Sequence, residues 1–232
     1  MAFVALYDAC VLYSAPLRDL LVRLGNTGIV RARWSEPILD ECFRSILKNR
    51  PDLKPEALRR TRELMSQAVP DCLVTGFDAL MESLVLPDPD DRHVLAAAIR
   101  AGAQVIVTFN LDDFPEAQLA QYDVEAKHPD EFVLDAIDLA RGLVTTVVSE
   151  QAAALRAPPR TVGELLDTLR DQGLVRSAAK LAEVFDAADL EAPAGRGNRR
   201  RFTAVLAKVP DAESADNDRV PARRRRAKRR VR

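Results

Sequence analysis

Short apolar runs of strand length alternate with longer segments of helical periodicity over the first 140 residues, and this alternation constrains the fold more than any other feature. The runs lie at residues 2–7, 29–34 and 104–108, and a further one lies near Val124. Parallel strands need a long return connection, which is usually a helix, so strands that alternate with helices form a parallel sheet. The sequence therefore predicts an α/β domain with a mostly parallel central sheet.

The segments between the predicted strands carry helix signals. Residues 11–24 have leucines at helical spacing with Gly25 as the predicted end, and Ser35 with Pro37 is typical of a capped helix start. Further helices are predicted at 51–66 and around 76–84, from Asp90 or Asp91 to Gly102, and from 129 to about 139. These helices would cover the sheet.

The region after the predicted sheet has a different character. Thr161 and Glu164 form a capping box, Gly173 is the predicted end of that helix, and residues 175–187 predict another. We therefore predict three regions: an α/β domain at 1–142, a small helical C-terminal appendage at 143–190, and an Arg-rich tail at 191–232 that is predicted to be disordered.

The charge is unevenly distributed. The net charge is −1, but residues 219–232 hold nine of the 34 basic residues and no acid, which leaves 25 basic against 35 acidic residues before them. An acidic body argues against broad electrostatic capture of a phosphate backbone and fits a protein that gathers carboxylates around cations.

The numbers and spacing of cysteine and histidine limit which metal sites and cross-links the chain can form. The three cysteines form no CxxC pair and there are two histidines, which argues against a zinc site or a disulfide framework and favours a reducing cytoplasm. No apolar run approaches transmembrane length, and the N-terminus lacks the basic start of a signal peptide, so no membrane association is expected.

Acidic side chains follow the predicted strands or begin the predicted helices. Ligands bind outside the carboxyl ends of the strands in open parallel sheets, so these side chains are expected to meet there. Closely placed carboxylates raise one another's pKa, and a hard divalent cation such as Mg²⁺ or Mn²⁺ removes that cost. Such an ion could support phosphodiester hydrolysis by an activated water. The members of this set are Asp8, Asp90, Asp91, Asn110, Asp112 and Asp113, with Glu41 as a further candidate.

Each of these residues also has a structural interpretation. Asp8, Asp90 and Asp91 are favoured as helix N-caps, Glu41 fits a solvated helix face, and Asp112 and Asp113 fit a turn. The hydroxyls of Ser14 and Thr108 fit local backbone bonding as well as a role in positioning phosphate or water. For Cys10 a small buried apolar role is favoured, and for His93 a surface or packing role is favoured. The joint placement of four acids at strand and helix ends favours the metal site.

Four segments in order resemble a PIN-domain nuclease, similar to the VapC-type toxins of bacterial type II toxin–antitoxin systems. They are DACVLYS from Asp8, WSEPILDE ending at Glu41, DPDDRHVLAAA from Asp88, and VTFNLDDFP from Val107. The resemblance covers about residues 1–140 and includes HPDEF from His128. It implies a three-layer α/β/α sandwich, RNA cleavage with Mg²⁺ (Mn²⁺ may substitute), a homodimer and a cognate antitoxin protein.

The resemblance also assigns roles. Asp8, Glu41, Asp91 and Asp113 become the catalytic acids, with Asp8, Asp91 and Asp113 as metal ligands. Asp91 stands eleven residues before Gly102, as the family pattern expects. The fourth position is open between Asn110 and Asp113, because an amide ligates more weakly than a carboxylate. The supporting candidates are Asp90, Asn110, Asp112 and Thr108.

RNA contacts and competing functions remain open at this level. Arg92 and the tail residues Arg223, Arg224 and Arg225 are candidates for phosphate contact, although solvated charges explain them about as well. A haloacid-dehalogenase-type phosphatase needs Asp-x-Asp, and Cys10 stands at the second position. A catalytically weakened PIN-like module that binds nucleic acid or protein is the alternative to the nuclease. The RNA target is not encoded in any motif.

Overall fold

A five-stranded parallel sheet forms the centre of the molecule. The computed structural model describes residues 3–155 and 158–191. Every pair of neighbouring strands is parallel, and their order across the sheet is β3-β2-β1-β4-β5. The strands are β1 (Phe3–Tyr7), β2 (Val30–Ser35), β3 (Leu73–Val74), β4 (Val105–Val107) and β5 (Glu125–Lys127). The predicted α/β fold with a mostly parallel sheet is confirmed.

Helices cover the sheet and extend beyond it. They are α1 (Ala9–Tyr13), α2 (Ala15–Asn26), α3 (Glu36–Asn49), α4 (Pro55–Ala68), α5 (Asp78–Met81), α6 (Arg92–Ala101), α7 (Glu116–Leu119), α8 (Pro129–Ala154), α9 (Val162–Asp171), α10 (Val175–Ala182) and α11 (Ala187–Glu191). Short 3₁₀ turns lie at Pro89–Asp91, Leu111–Asp113 and Ala120–Tyr122. The α/β/α sandwich and its C-terminal helical appendage are both confirmed.

Three aromatic side chains lie in the middle of the core. Tyr7 at the end of β1 stacks on Trp34 of β2 with ring centroids 6.3 Å apart, and meets Phe132 of α8 edge-on at 5.8 Å. The buried Tyr7 hydroxyl donates to the Leu21 carbonyl at 3.2 Å, so it is not left unsatisfied. These contacts pack β1 and β2 against α8 and α2 next to the carboxyl edge of the sheet.

The segment after β1 differs from the single helix predicted at 11–24. It forms two helices, because Ser14 is extended and α2 begins directly after it at Ala15, with Pro16 in its first turn. Gly25 does not end α2, which continues to Asn26. A Cβ at Gly25 would lie 2.6 Å from the Cβ of Ala32, so this glycine is needed for the close approach of α2 to β2.

We expect Gly25→Ala to destabilise the protein by about 1–3 kcal/mol, because the added methyl overlaps β2 and forces the two elements apart. Gly142→Ala is the matched control: Gly142 also lies within a helix, and nothing surrounds its Cβ position within 4 Å. That variant should be stabilised by about 0.5–1 kcal/mol, because alanine replaces glycine in a helix. Urea denaturation of both variants measures the difference, and equal effects would contradict this account of Gly25.

The sequence also missed elements further along the chain. β3 is only two residues long and was expected to be part of a turn segment. The helix predicted to end near 139 breaks at the non-helical Ala140, and a second helical segment that was not predicted continues α8 to Ala154. The predicted domain boundary at 142 and 143 falls two residues after this break, and the division of the chain at that point stays a prediction.

Other predicted segments shift by a few residues. The helix predicted at 175–187 ends at Ala182 and is followed by α11, and the residues of the predicted tail from 192 onward lie outside the described part of the chain. Within residues 3–155 and 158–191, no helix is both long and apolar enough to cross a membrane.

The appendage of α9, α10 and α11 is held to the sheet domain through α8. Thr161 and Glu164 form the predicted capping box at the start of α9. The buried carboxylate of Asp130, in the first turn of α8, accepts from the backbone N–H of Arg176 at 3.0 Å and of Ser177 at 2.8 Å, and from the Ser177 hydroxyl at 2.6 Å. Asp130 thus caps α10 from a different helix.

Candidate active site

Asp8 lies where the central strand ends. Its backbone N–H donates to the Val107 carbonyl at 3.1 Å, which continues the pairing of β1 with β4 by one residue. Its side chain then accepts from the N–H of Ala9 at 2.7 Å as the N-cap of α1. Asp8 can therefore be both a helix N-cap and a candidate metal ligand, because the cap uses only Oδ1.

The second carboxylate oxygen of Asp8 is held by side chains. The Thr108 hydroxyl donates to Oδ2 at 2.8 Å, and the Cys10 thiol donates to the same oxygen at 3.1 Å. Thr108 in turn accepts from the N–H of Asn110 at 3.0 Å, which fixes the start of the loop after β4. Asp8, Thr108 and the Asn110 backbone are thus one hydrogen-bonded unit at the carboxyl edge of the sheet.

The surroundings of Asp8 disfavour the ionised form of its carboxyl group. Burial raises its pKa, the hydrogen bonds from Cys10, Thr108 and Ala9 lower it, and the negative charge of Glu41 raises it again. Burial also raises the pKa of the Cys10 thiol well above its usual range, so this thiol serves as a donor and not as a nucleophile. A buried carboxylate next to a second one is a position that a cation would stabilise.

Glu41 reaches this edge from α3. Its side chain is 27% exposed, and its Oε2 lies 3.5 Å from the Nε2 of His93, which is in the first turn of α6. Glu41 therefore contacts the helix that follows Asp91, and its charge acts on the Asp8 carboxylate. The contact with His93 was not predicted, because it joins two helices that are far apart in the sequence.

The remaining predicted acids lie on the two 3₁₀ turns. Asp91 is buried and directly precedes α6, and Asp113 is half-buried at the end of Leu111–Asp113. Asp90 and Asp112 are exposed. Within the described part of the chain, no three His, Cys, Asp or Glu side chains are placed so that one metal ion could contact them all. The grouping of Asp91 and Asp113 with Asp8 therefore stays a prediction.

Comparison with known proteins matches both units of the structure. A family model described as PIN domain matches residues 4–112, and one described as VapC50 C-terminal domain matches residues 129–183. A curated protein of Mycobacterium tuberculosis, "Putative ribonuclease VapC50", is 40% identical over 123 residues, which is 52% of this chain and 72% of that protein. The chain belongs to the VapC-type PIN-domain family. No solved structure matches it significantly.

The matched ranges of this VapC-type protein include most of the candidate site residues. The PIN-domain match includes Asp8, Glu41, Asp91 and Asn110 but ends before Asp113. The C-terminal match begins at Pro129, the first residue of α8, and therefore includes Asp130 and the α10 segment that it caps. The predicted resemblance to VapC-type proteins is confirmed, and α8, α9 and α10 lie in the range that matches the model described as VapC50 C-terminal domain.

Proposed function

We propose that this VapC-type protein is a metal-dependent endoribonuclease that hydrolyses RNA phosphodiester bonds as the toxin of a toxin–antitoxin pair. The observation that carries the proposal is the buried Asp8 carboxylate, oriented by Thr108 and Cys10 at the carboxyl edge of the sheet, with the charge of Glu41 beside it. The name of the M. tuberculosis relative supports RNA as the substrate.

The available donors are carboxylate, amide and hydroxyl oxygens, which suit Mg²⁺ or Mn²⁺ better than softer metals. Asp8, Asp91 and Asp113 would hold the ion, with Asn110 as the alternative to Asp113. When bound, such an ion supplies a water of lowered pKa and offsets charge on the leaving oxygen. Placing three ligands on one ion requires side-chain movement at this edge, since the described side chains do not converge on one point.

The protein's own groups have separate tasks in this proposal. Thr108 and Cys10 hold Asp8 Oδ2 in one orientation, so the carboxylate does not have to be ordered during the reaction. Glu41, whose Oε2 faces His93 Nε2, is the carboxylate that we assign to accept the proton of the attacking water. Asp90 and Asp112, which are exposed, are the supporting acids on the two turns and the possible substitutes for Asp91 and Asp113.

Partners follow from the same proposal. Arg92 at the start of α6 is the described candidate for phosphate contact, and Arg223, Arg224 and Arg225 lie outside the described residues. The proposal also includes a cognate antitoxin that binds this protein and a homodimer of the chain. The site of action is the cytoplasm, where RNA substrates are found.

The proposal is tested by incubating total bacterial RNA with the purified full chain in Mg²⁺, in Mn²⁺ and in excess EDTA. We expect discrete fragments with either metal and none with EDTA, because the acids alone cannot offset charge on the leaving oxygen. Readdition of Mn²⁺ after EDTA should restore cleavage and exclude irreversible damage. Cleavage that persists unchanged in EDTA would contradict metal dependence.

A second candidate is a PIN-like module that binds nucleic acid or protein without cleaving it. The amide of Asn110 in a position where the family often has a carboxylate favours it. Such a module would retain RNA on a filter but release no fragments, and would show no saturable Mn²⁺ site by calorimetry. Saturable Mn²⁺ binding together with fragment release would exclude it.

A further inference from the structure

The turn between α9 and α10 contacts both segments that carry the candidate site. Gln172 and Gly173 form this turn. The Oε1 of Gln172 accepts a hydrogen bond from the buried hydroxyl of Ser14, which lies between α1 and α2. α1 begins at the Asp8 cap, so the turn reaches the far end of the helix that starts at the site.

Gly173 contacts the second segment through Phe109. Phe109 lies between Thr108 and Asn110, and its backbone N–H donates to the sulfur of Cys10 at 3.3 Å. Its ring meets the His128 imidazole edge-on at 5.1 Å. A Cβ at position 173 would stand 3.2 Å from Cε1 of Phe109, and the φ of Gly173 is +97°. A side chain at this position would adopt a backbone conformation that favours glycine, and its Cβ would press on the ring by a few tenths of an ångström.

The turn itself is firmly held. The N–H of Gly173 donates to the Arg170 carbonyl at 3.0 Å, and the N–H of Leu174 donates to the Leu169 carbonyl at 3.0 Å. Asp130 caps α10 immediately after it. A displacement of the turn would therefore be resisted by the appendage, and a bulkier residue at 173 would push on Phe109 instead.

We propose that the Gln172–Gly173 turn is a positioning element for the nuclease site. By fixing Phe109 and Ser14, the appendage fixes Cys10 and Thr108, which orient the Asp8 carboxylate. The C-terminal unit thus determines how tightly the site in the PIN domain holds its metal. This inference rests on the proposed function, because it concerns the metal affinity of that same site.

The test compares Gly173→Ala with Gly28→Ala in the full-length chain. Gly28 is the matched control: its φ of +83° imposes the same backbone cost, but nothing lies within 4 Å of its Cβ position. Direct Mn²⁺ titration without RNA, followed by electron paramagnetic resonance, reports affinity and the number of sites separately. We expect Gly173→Ala to bind Mn²⁺ about 10–100-fold more weakly, as when a group that orients a metal ligand is lost. Gly28→Ala should bind like the wild type. Irreversibly unfolded protein would lower the number of sites and leave the affinity unchanged, and Gly28→Ala shows how far reversible unfolding alone weakens the apparent affinity.

A rescue variant and a gentler variant complete the experiment. Gly173→Ala/Phe109→Leu removes the ring atoms that the added methyl would meet, so its affinity should recover relative to Gly173→Ala. Gln172→Leu keeps the backbone, removes only the acceptor of Ser14, and should also weaken Mn²⁺ binding. It takes the place of Gly173→Ala in the test if that variant does not fold. Wild-type affinity in Gly173→Ala, or in Gln172→Leu where that variant replaces it, would overturn the positioning proposal alone. A wild type that neither binds Mn²⁺ nor cleaves RNA would overturn the proposed function.

Discussion

Asp8→Asn is expected to abolish RNA cleavage, with a loss of more than about a thousandfold, while the fold is retained. The amide has the same shape, so the cap of α1 at Ala9 is kept, whereas one ligand charge disappears. Metal-based charge stabilisation contributes several kcal/mol to such reactions, and each 1.36 kcal/mol corresponds to tenfold in rate. The measurement is the initial rate of fragment formation from one RNA, with Mg²⁺ saturating for the wild type.

The same substitution has a second expected outcome, in stability. Burial raises the pKa of Asp8, so its ionised form is disfavoured in the folded state, and this cost is present at neutral pH. The amide also removes the acceptor of the Thr108 hydroxyl and the Cys10 thiol, which offsets part of this relief, so Asp8→Asn without metal should melt close to the wild type. Asp167→Asn is the control for the chemistry of the substitution, because Asp167 is exposed and paired only with Arg170 among the described contacts. Full cleavage by Asp8→Asn would remove Asp8 from the site.

Asp130→Ala is expected to give the largest loss of stability among the polar substitutions considered. The variant leaves the N–H groups of Arg176 and Ser177 and the Ser177 hydroxyl without their buried acceptor. Hydrogen bonds to a charged group are worth about 1.5–3 kcal/mol each. Water can enter the space left by the carboxylate and replace part of the three bonds, so we expect a combined loss of about 3–5 kcal/mol, below their simple sum. In hydrogen exchange, the amide exchange rates of α10 should increase before those of the sheet, because α10 loses its cap.

Asp135→Ala is the matched control for Asp130→Ala. Asp135 lies on the same helix, is 48% exposed and pairs with Lys127. Exposed ion pairs contribute about 0–1 kcal/mol, so its loss should be small. Equal destabilisation by the two variants, measured by urea unfolding, would show that Asp130 does not hold the appendage in place.

Local signals in the sequence predicted their elements well. Ser35 and Thr161 cap helices as expected, because a cap depends only on the next three residues. Asp8 and Thr108 were expected at one edge, because each follows a strand of a parallel sheet, and they form a hydrogen bond there. The order and type of the main elements therefore follow from patterns that are short in sequence.

The contacts that shape the site were less accessible from sequence. Gly25 has the local signature of a helix end, but its actual role depends on Ala32 of a neighbouring strand. The approach of His93 to Glu41 and of Gln172 to Ser14 joins residues that no periodicity relates. Such contacts are set by how helices pack across the sheet, and a single sequence contains no spacing rule for them.

The pairing of the central strand with β4 has a consequence for how the protein is made. Asp8 and Thr108 are 100 residues apart, and Ser14 and Gln172 are 158 residues apart. A nascent chain on the ribosome has Asp8 exposed long before its hydrogen-bond partner is translated, and the supporting turn comes later still. Contacts between distant residues form only after the intervening chain exists. Translation products that stop before Thr108 therefore lack the partner of Asp8, and products that stop before Gln172 lack the supporting turn.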